Sequence, residues 1–208
     1  KEGYPMGLFD SLKRQAESTI KREVSQGINK AVNNAAQSVA KGRNHSETFT
    51  FASLPTNVAE LQALPESNLD SAFKTTALTL AVLCNYEHNP DATIEMLGFL
   101  KGPGEISGFE KQFIKEHLGS EGYKACSFFE GATPQNSYKP NVPYKITVIE
   151  NPYSFDNENW ATLYVQSGGA DNPRPIKKKK KPSTGQWFLV EIQCLADIRV
   201  PVEEDPWA

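Results

Sequence analysis

Apolar residues recur at a spacing of mostly four along residues 6–41, and no proline interrupts them. The stripe includes Leu8, Phe9, Leu12, Ile20, Val24 and Ile28, and it continues mainly through alanine and valine. This spacing predicts an amphipathic helix over Met6–Lys41. Because an α-helix turns by about 100° per residue, a four-residue step makes the stripe wind around the helix, which suits a shallow surface. Large apolar residues are few, so we expect the helix to need a partner surface in water.

After a linker that begins at Gly42, helix signals dominate residues 49–122. Polar residues of the capping type precede four segments: Asn57, Ser67, Asn89 and Ser107. Helix-ending residues follow three of them: Pro65, Gly102 and Gly119. These start and stop signals predict a layer of helices, of which the most apolar covers Leu69–Tyr86.

The last part of the chain, residues 123–208, changes to strand patterns separated by turns rich in proline and glycine. Alternating or β-rich segments predict four strands: Tyr144–Glu150, Ala161–Gln166, Arg174–Lys180 and Gln186–Gln193. Short turns between them indicate an antiparallel meander with one face on the helices. The predicted fold is therefore α+β, with an N-terminal helix and linker over residues 1–48 and one domain over residues 49–208.

Charge is distributed unevenly along the 208 residues, although the net charge is only −3. Residues 6–41 hold six basic and three acidic side chains, whereas residues 42–208 hold fifteen basic and twenty-one acidic ones. A basic arm thus precedes an acidic body. The body offers no general attraction to polyanions. The longest apolar run, Ala77–Cys84, is far too short to span a bilayer.

One local exception to this acidity is a run of five basic residues: Lys177, Lys178, Lys179, Lys180 and Lys181. In a strand these side chains alternate between the two faces. We expect a strand at the edge of the sheet, where lysines oppose edge-to-edge association and one of them pairs with Glu191. The alternative is contact with phosphate groups of a nucleic acid or a lipid surface. The neighbouring rings do not indicate a base-stacking platform, so nucleic acid is not the expected partner.

Groups that carry catalysis or bind metals are not arranged in any known motif. His45, His88 and His117 are far apart and form neither HxH nor HExxH. No nucleophile motif of the G-x-S-x-G type is present, and Asp156–Asn159 lacks the glycine and final glutamate of a calcium loop. We therefore predict no catalytic residue, no metal and no cofactor.

The three cysteines, Cys84, Cys126 and Cys194, are distant in sequence and odd in number. We expect buried free thiols and a reducing, cytoplasmic compartment. One disulfide with a leftover thiol is the alternative.

Polar residues in the predicted strand-end loops are the remaining candidates for a ligand or partner site: Asp171, Arg174, Asp197, Arg199 and Asp205, together with Trp207. Asp171–Arg174 or Asp197–Arg199 pairs most often fix a loop by charge-assisted hydrogen bonds. A binding site built from these residues is the alternative. We expect Trp207 to pack back on the body, since it is a large apolar anchor.

Several segments together resemble an uncharacterised bacterial family defined by a domain of unknown function. They are Leu54–Pro65, Glu95–Pro103, Phe129–Asn136, Glu150–Ser154, Ser167–Pro175, Asp197–Pro201 and Glu204–Ala208. The resemblance covers about residues 49–208, and the Met-Gly-Leu-Phe-Asp start over Met6–Asp10 is also similar. It implies no activity and no catalytic residue. The family resembles this chain least at the lysine run, which implies that the run is not a shared functional site.

Three functional hypotheses follow. The first is a non-enzymatic module that binds a protein partner and is attached by residues 6–41 to a partner helix or to the inner membrane surface. The second is an enzyme or small-ligand binder with a pocket between sheet and helices, lined by Tyr144, Tyr164, Asp171 and Arg174. The third is nucleic-acid binding through the lysine run.

Overall fold

A computed structural model describes residues 45–207 of the protein. The helices are α1 (Val58–Ala63), α2 (Ala72–Leu83), α3 (Pro90–Lys101), α4 (Gly108–Leu118) and α5 (Tyr123–Cys126). The strands are β1 (Ser46–Phe51), β2 (Tyr144–Ile149), β3 (Trp160–Val165), β4 (Arg174–Lys180) and β5 (Trp187–Ile192). The helix predicted over residues 6–41 lies outside the described residues.

The strands form one antiparallel sheet in the order β1-β2-β3-β4-β5. The α+β class is therefore confirmed, and the four strands predicted in the last part of the chain are all present. β1 is an additional strand where a linker and the start of the helical layer were expected. Buried Phe49 and Phe51 alternate in it with exposed Thr48 and Thr50. This alternation is typical of a half-buried strand, but its partner β2 lies almost a hundred residues further along the chain.

Side-chain caps start three helices at the residues that the sequence indicated. Asn57 accepts a hydrogen bond from the Glu60 amide, and Asn89 accepts one from the Ala92 amide. Ser107 and Glu110 form a reciprocal capping box at the start of α4. The expected start of α2 near Ser67 is wrong, because Ser71 caps that helix instead.

The core lies between the sheet and α2, which is buried at almost every position. Leu78, Leu80 and Leu83 of this helix are fully buried, as are Val148 of β2 and Leu163 of β3. All five strands have contacts with α2. The inner face of the sheet is thus filled by packed apolar side chains.

Lys178 is an unusual member of this core. It is 0% exposed, and it points to the helix side of β4 between buried Ala161 and Leu189. Its Nζ lies 2.5 Å from Thr76 Oγ1, which in turn donates to the Ala72 carbonyl over 2.8 Å. The expectation that β4 forms an edge with solvated lysines on both faces is wrong. β4 lies between β3 and β5, so its inward side chains meet α2 rather than water.

Burial lowers the pKa of Lys178 well below its usual value, and the nearby Cys194 thiol opposes this only partly. Removing an ammonium group from water disfavours its charged form. Between the lowered folded pKa and the unfolded value of about 10.4, the unfolded chain therefore binds one proton more than the folded chain. Stability should rise with pH across that interval.

We expect the free energy of unfolding to rise by up to about 1.4 kcal/mol per pH unit as the pH increases from the lowered folded pKa of Lys178 toward about 8.5, where unfolded thiols begin to titrate. Lys178→Met should abolish this rise, because Met carries no proton in either state. The measurement is urea unfolding followed by circular dichroism across that range. At higher pH, Cys84 and Cys194 oppose the trend, because burial raises the pKa of both thiols.

Lys179→Met is the matched control, because Lys179 is exposed on the same strand. It should keep the slope of the unsubstituted protein. A Lys178→Met variant with an unchanged slope would contradict the assignment of the proton to Lys178.

Candidate interaction surface

The lysine run does not form a continuous basic patch. Lys178 is buried, and Lys177 pairs with Glu191 over 3.3 Å. Lys179 lies over the Trp160 ring at 4.9 Å, and Lys180 lies over the ring of Trp187 at 5.8 Å. The expected pair between Glu191 and one of the lysines is therefore present across β4 and β5, and the lysine is Lys177. Burial of Lys178 and the ion pair of Lys177 leave less positive charge for an external phosphate.

The predicted strand-end residues come together only in part. Arg199 forms an ion pair with Asp171, and an Arg174 guanidinium nitrogen donates to the Asp197 carbonyl over 2.7 Å. The buried Tyr138 hydroxyl also donates to the Arg199 carbonyl over 2.7 Å, a contact that sequence reasoning missed. The expected Asp171–Arg174 and Asp197–Arg199 pairs are therefore wrong in their partners, which are exchanged. The bonds that do form join segments distant in sequence, which is a structural role.

Asp205 and Trp207 do not join these long-range contacts. The Asp205 carboxylate accepts a hydrogen bond from the Trp207 amide over 2.9 Å, so it closes a local turn. Trp207 is 92% exposed. The expectation that its ring packs back on the body is therefore wrong, because this turn directs the indole away from the core.

The sheet face opposite the helices carries a mixed set of side chains. Register places Trp160 of β3 beside Lys179 of β4, and Tyr164 beside Pro175. A cleft of about 460 Å³ lies at this face, where Tyr153 and Lys177 belong to its lining. The turn that contains Asp156 also borders this cleft and is exposed.

The pocket expected between sheet and helices is not formed as predicted. Tyr144 shares the inward face of β2 with buried Ile146, whereas Tyr164 alternates with buried Leu163 and points to the opposite face. These two tyrosines cannot line one pocket. The inner face is instead filled by the core.

An apolar cleft of about 320 Å³ lies between α4 and β5. Phe109 borders it at 81% exposure, and Phe113, Ile192 and Ala196 form its apolar wall. A surface aromatic ring of this kind commonly marks a contact region.

The two edges of the sheet differ in how their main-chain groups are engaged. On the outer side of β5, the Trp187 amide donates to the Leu69 carbonyl over 2.8 Å. The Trp187 carbonyl accepts a hydrogen bond from Thr75 Oγ1 over 2.7 Å. Further along, the Val190 carbonyl accepts from Lys101 Nζ over 3.1 Å. Side chains and loops thus cover part of this edge, which is a common protection of sheet edges against pairing with another chain.

Lys101 connects this covered edge to two helices. Its side chain is buried at the end of α3, and it also forms an ion pair with Glu110 in the first turn of α4. Burial by itself would raise the pKa of Glu110, but hydrogen bonds from Lys101 and Ser107 outweigh this, and the pKa lies below its ordinary value. One lysine therefore holds the β5 edge, the end of α3 and the start of α4 together.

The outer side of β1 contrasts with β5. The Glu150 amide donates to the opposing His45 carbonyl over 2.9 Å. Alternation of an antiparallel ladder then directs the main-chain groups of Ser46, Thr48 and Thr50 away from β2. All three residues are exposed, and within residues 45–207 their outward N–H and C=O groups have no hydrogen-bond partner. Among the described residues, β1 is therefore an open edge.

No cluster of three or more metal-binding side chains occurs within the part of the chain that the structure describes. In the same part, no helix is long and apolar enough to cross a membrane. The described surface thus consists of an open strand edge, shallow clefts and a mixed sheet face.

The fold and these surfaces define an α+β domain with helices on one face of an antiparallel sheet. The chain belongs to the family defined by a domain of unknown function, DUF6935, which matches residues 53–202. This match confirms the resemblance to a family of unknown function. No curated protein and no solved structure matches the chain.

Lys101→Met is expected to lower the free energy of unfolding by about 2 kcal/mol, because the Val190 carbonyl and the Glu110 carboxylate both lose their partner. Urea unfolding followed by tryptophan fluorescence measures the change. Lys74→Met is the control, since the Lys74–Asp70 pair of 2.9 Å is largely exposed at Asp70. That control should change stability by no more than about 0.5 kcal/mol. Equal losses in the two variants would contradict the role given to Lys101.

Proposed function

We propose that this protein is a non-enzymatic interaction module that binds an extended segment of a partner protein along the outer edge of β1. The observation that carries the proposal is that no group within residues 45–207 pairs with the outward main chain of Ser46, Thr48 and Thr50. An extended peptide can pair with such an edge as an additional strand, and its main-chain hydrogen bonds then supply much of the affinity.

The side chains of β1 indicate what the partner segment would look like. Phe49 and Phe51 lie on the inner face of the strand, so every second partner residue would lie beside an apolar surface. The other partner residues would lie beside Ser46, Thr48 and Thr50 on the polar face. An alternating apolar and hydroxyl-bearing segment is therefore the best match, since Glu47 is the only residue of β1 with a formal charge.

The contrast between the two edges supports this proposal. Protective devices against strand addition include lysine, proline, a bulge or a covering segment. β5 has a register shift opposite Lys177/Lys178 and the covering contacts of Leu69, Thr75 and Lys101. β1 has six residues without lysine or proline, and its ladder with β2 is regular.

The alternatives have less support from the described residues. The filled core behind the sheet and the separation of Tyr144 from Tyr164 argue against the predicted pocket. Burial of Lys178 and engagement of Lys177 argue against a polyanion site in the lysine run. Clefts at the surface remain compatible with a contact to a protein partner.

Residues 6–41 complete the proposal as a tether in a cytoplasmic protein. Their winding apolar stripe and net positive charge suit the anionic inner membrane surface or a partner helix. Leu8, Phe9 and Leu12 form the strongest apolar group of this segment. This part of the proposal rests on the sequence alone.

Strand addition predicts that Thr48→Pro weakens peptide binding by about tenfold or more, equivalent to about 1.4 kcal/mol. Proline removes the outward N–H of this residue, whereas Thr48→Ala keeps it and should bind within about twofold of the unsubstituted protein. The probe is a synthetic peptide obtained by selecting a displayed random-peptide library on the full chain. Calorimetry gives the affinity, and circular dichroism checks that each variant is folded.

Hydrogen exchange of the complex locates the bound peptide. The amides of Ser46, Thr48 and Thr50 should gain protection, because each becomes hydrogen-bonded to the added strand. Protection elsewhere, or equal affinity of Thr48→Pro and Thr48→Ala, would contradict the proposal. A dimer in sedimentation velocity that Thr48→Pro dissociates would instead assign the edge to a second copy of the chain.

The tether predicts that the full chain co-sediments with vesicles containing phosphatidylserine and less with neutral vesicles. Replacing Leu8, Phe9 and Leu12 together by serine should abolish this binding, because it removes the strongest apolar group of the segment. Substitutions test this segment better than a truncated chain that begins at Phe49, because that truncation would also remove half of β1. Unchanged sedimentation of the triple variant would contradict the tether.

A further inference from the structure

We propose that Cys84 and Cys126 are a covalent modification site, at which a low-molecular-weight disulfide such as glutathione disulfide oxidises the two thiols to an intramolecular disulfide. This inference does not depend on the β1 edge. It concerns a pair of side chains on the helical side of the domain.

The fold brings the two thiols together although 42 positions separate them in sequence. Cys84 is the C-terminal cap of α2, and Cys126 is the last residue of α5. These two helices are in contact, and Cys126 packs against the core that contains Cys84. The Cys84 thiol interacts with the Cys126 side chain, so the two thiols are neighbours. All three cysteines of the chain are free thiols in this structure.

The two thiols differ in access to solvent. Cys84 is buried, with 8% of its surface exposed, whereas Cys126 is only half-buried. An external disulfide can therefore approach Cys126 first, and Cys84 is placed to act second. Cys194 is fully buried elsewhere, where Lys178 and Arg174 are its basic neighbours. It provides an internal reference for a thiol without a cysteine neighbour.

The thiol–disulfide exchange with glutathione disulfide proceeds in two steps. The Cys126 thiolate attacks one sulfur of glutathione disulfide, forms a mixed disulfide and releases one glutathione thiolate. The Cys84 thiolate then attacks the Cys126 sulfur, forms the Cys84–Cys126 bond and releases the second glutathione thiolate. Two protein thiols are oxidised by two electrons and glutathione disulfide is reduced. The two cysteine protons end on the two glutathione molecules.

The environment of Cys84 limits the second step. Burial, followed by the hydrogen bond with Cys126 and its charge, raises the pKa of the Cys84 thiol well above its ordinary value. Since the thiolate is the nucleophile, closure of the disulfide should be slow near neutral pH and faster as the pH rises. A steep gain in rate with pH is therefore part of the expectation.

The test incubates the folded full chain with a glutathione redox buffer, blocks remaining thiols with iodoacetamide in denaturant, and measures intact mass and linked peptides. We expect two fewer alkylated thiols per molecule and a peptide in which Cys84 is joined to Cys126. Cys194→Ser should give the same product. Cys84→Ser should stop at a glutathione adduct on Cys126, because the resolving thiol is absent.

Because the central measurement uses the unsubstituted chain, it does not depend on the folding of any variant. Retention of three alkylatable thiols would overturn the proposal, provided that a reference dithiol peptide in the same tube is oxidised. A linkage that includes Cys194 would also overturn it. A glutathione adduct on Cys126 that persists in the unsubstituted chain even when the pH is raised would show that Cys84 does not resolve the adduct, and would overturn the proposal as well.

Discussion

The packing of α2 against the inner face of the sheet is the interaction on which the rest of this domain depends. The helix is buried almost all round, so it must hide the hydroxyls of Thr75, Thr76 and Thr79 as well as its apolar side chains. Thr76 and Thr79 donate to carbonyls of their own helix over 2.8 and 2.7 Å. Hydroxyls satisfied in this way can enter a core without a large desolvation penalty. The same residue type also links helix to sheet, through Thr76 to Lys178.

The position of α2 makes the two edges of the sheet chemically different. Thr75 of α2 and Lys101 of α3 reach the outer side of β5 and hydrogen-bond to its main chain. Within the described residues, no corresponding contact reaches the outward groups of β1. An antiparallel sheet covered on one face therefore retains one edge with unsatisfied hydrogen-bonding capacity. That asymmetry, rather than a pocket, is the observation on which the proposed strand addition rests.

The run of five lysines illustrates how neighbours decide the role of identical side chains. Lys178 is inside the core, Lys177 pairs with a carboxylate, and Lys179 lies on an indole ring. Period-two alternation along a strand explains why adjacent lysines have opposite environments. It does not explain how one of them is accommodated in complete burial, where the Thr76 hydroxyl accepts a hydrogen bond from the Lys178 side chain.

Local sequence determined much of this protein by itself. Caps at Asn57, Asn89 and Ser107 and the alternation in the last four strands specify their elements through contacts within a few residues. Only the tertiary structure decided three further features. They are the pairing of β1 with β2, the burial of Lys178 beside Thr76 of α2, and the approach of Cys84 to Cys126. Each depends on residues far apart in sequence, whose proximity follows from burying α2 against the sheet and leaves no local periodicity to detect.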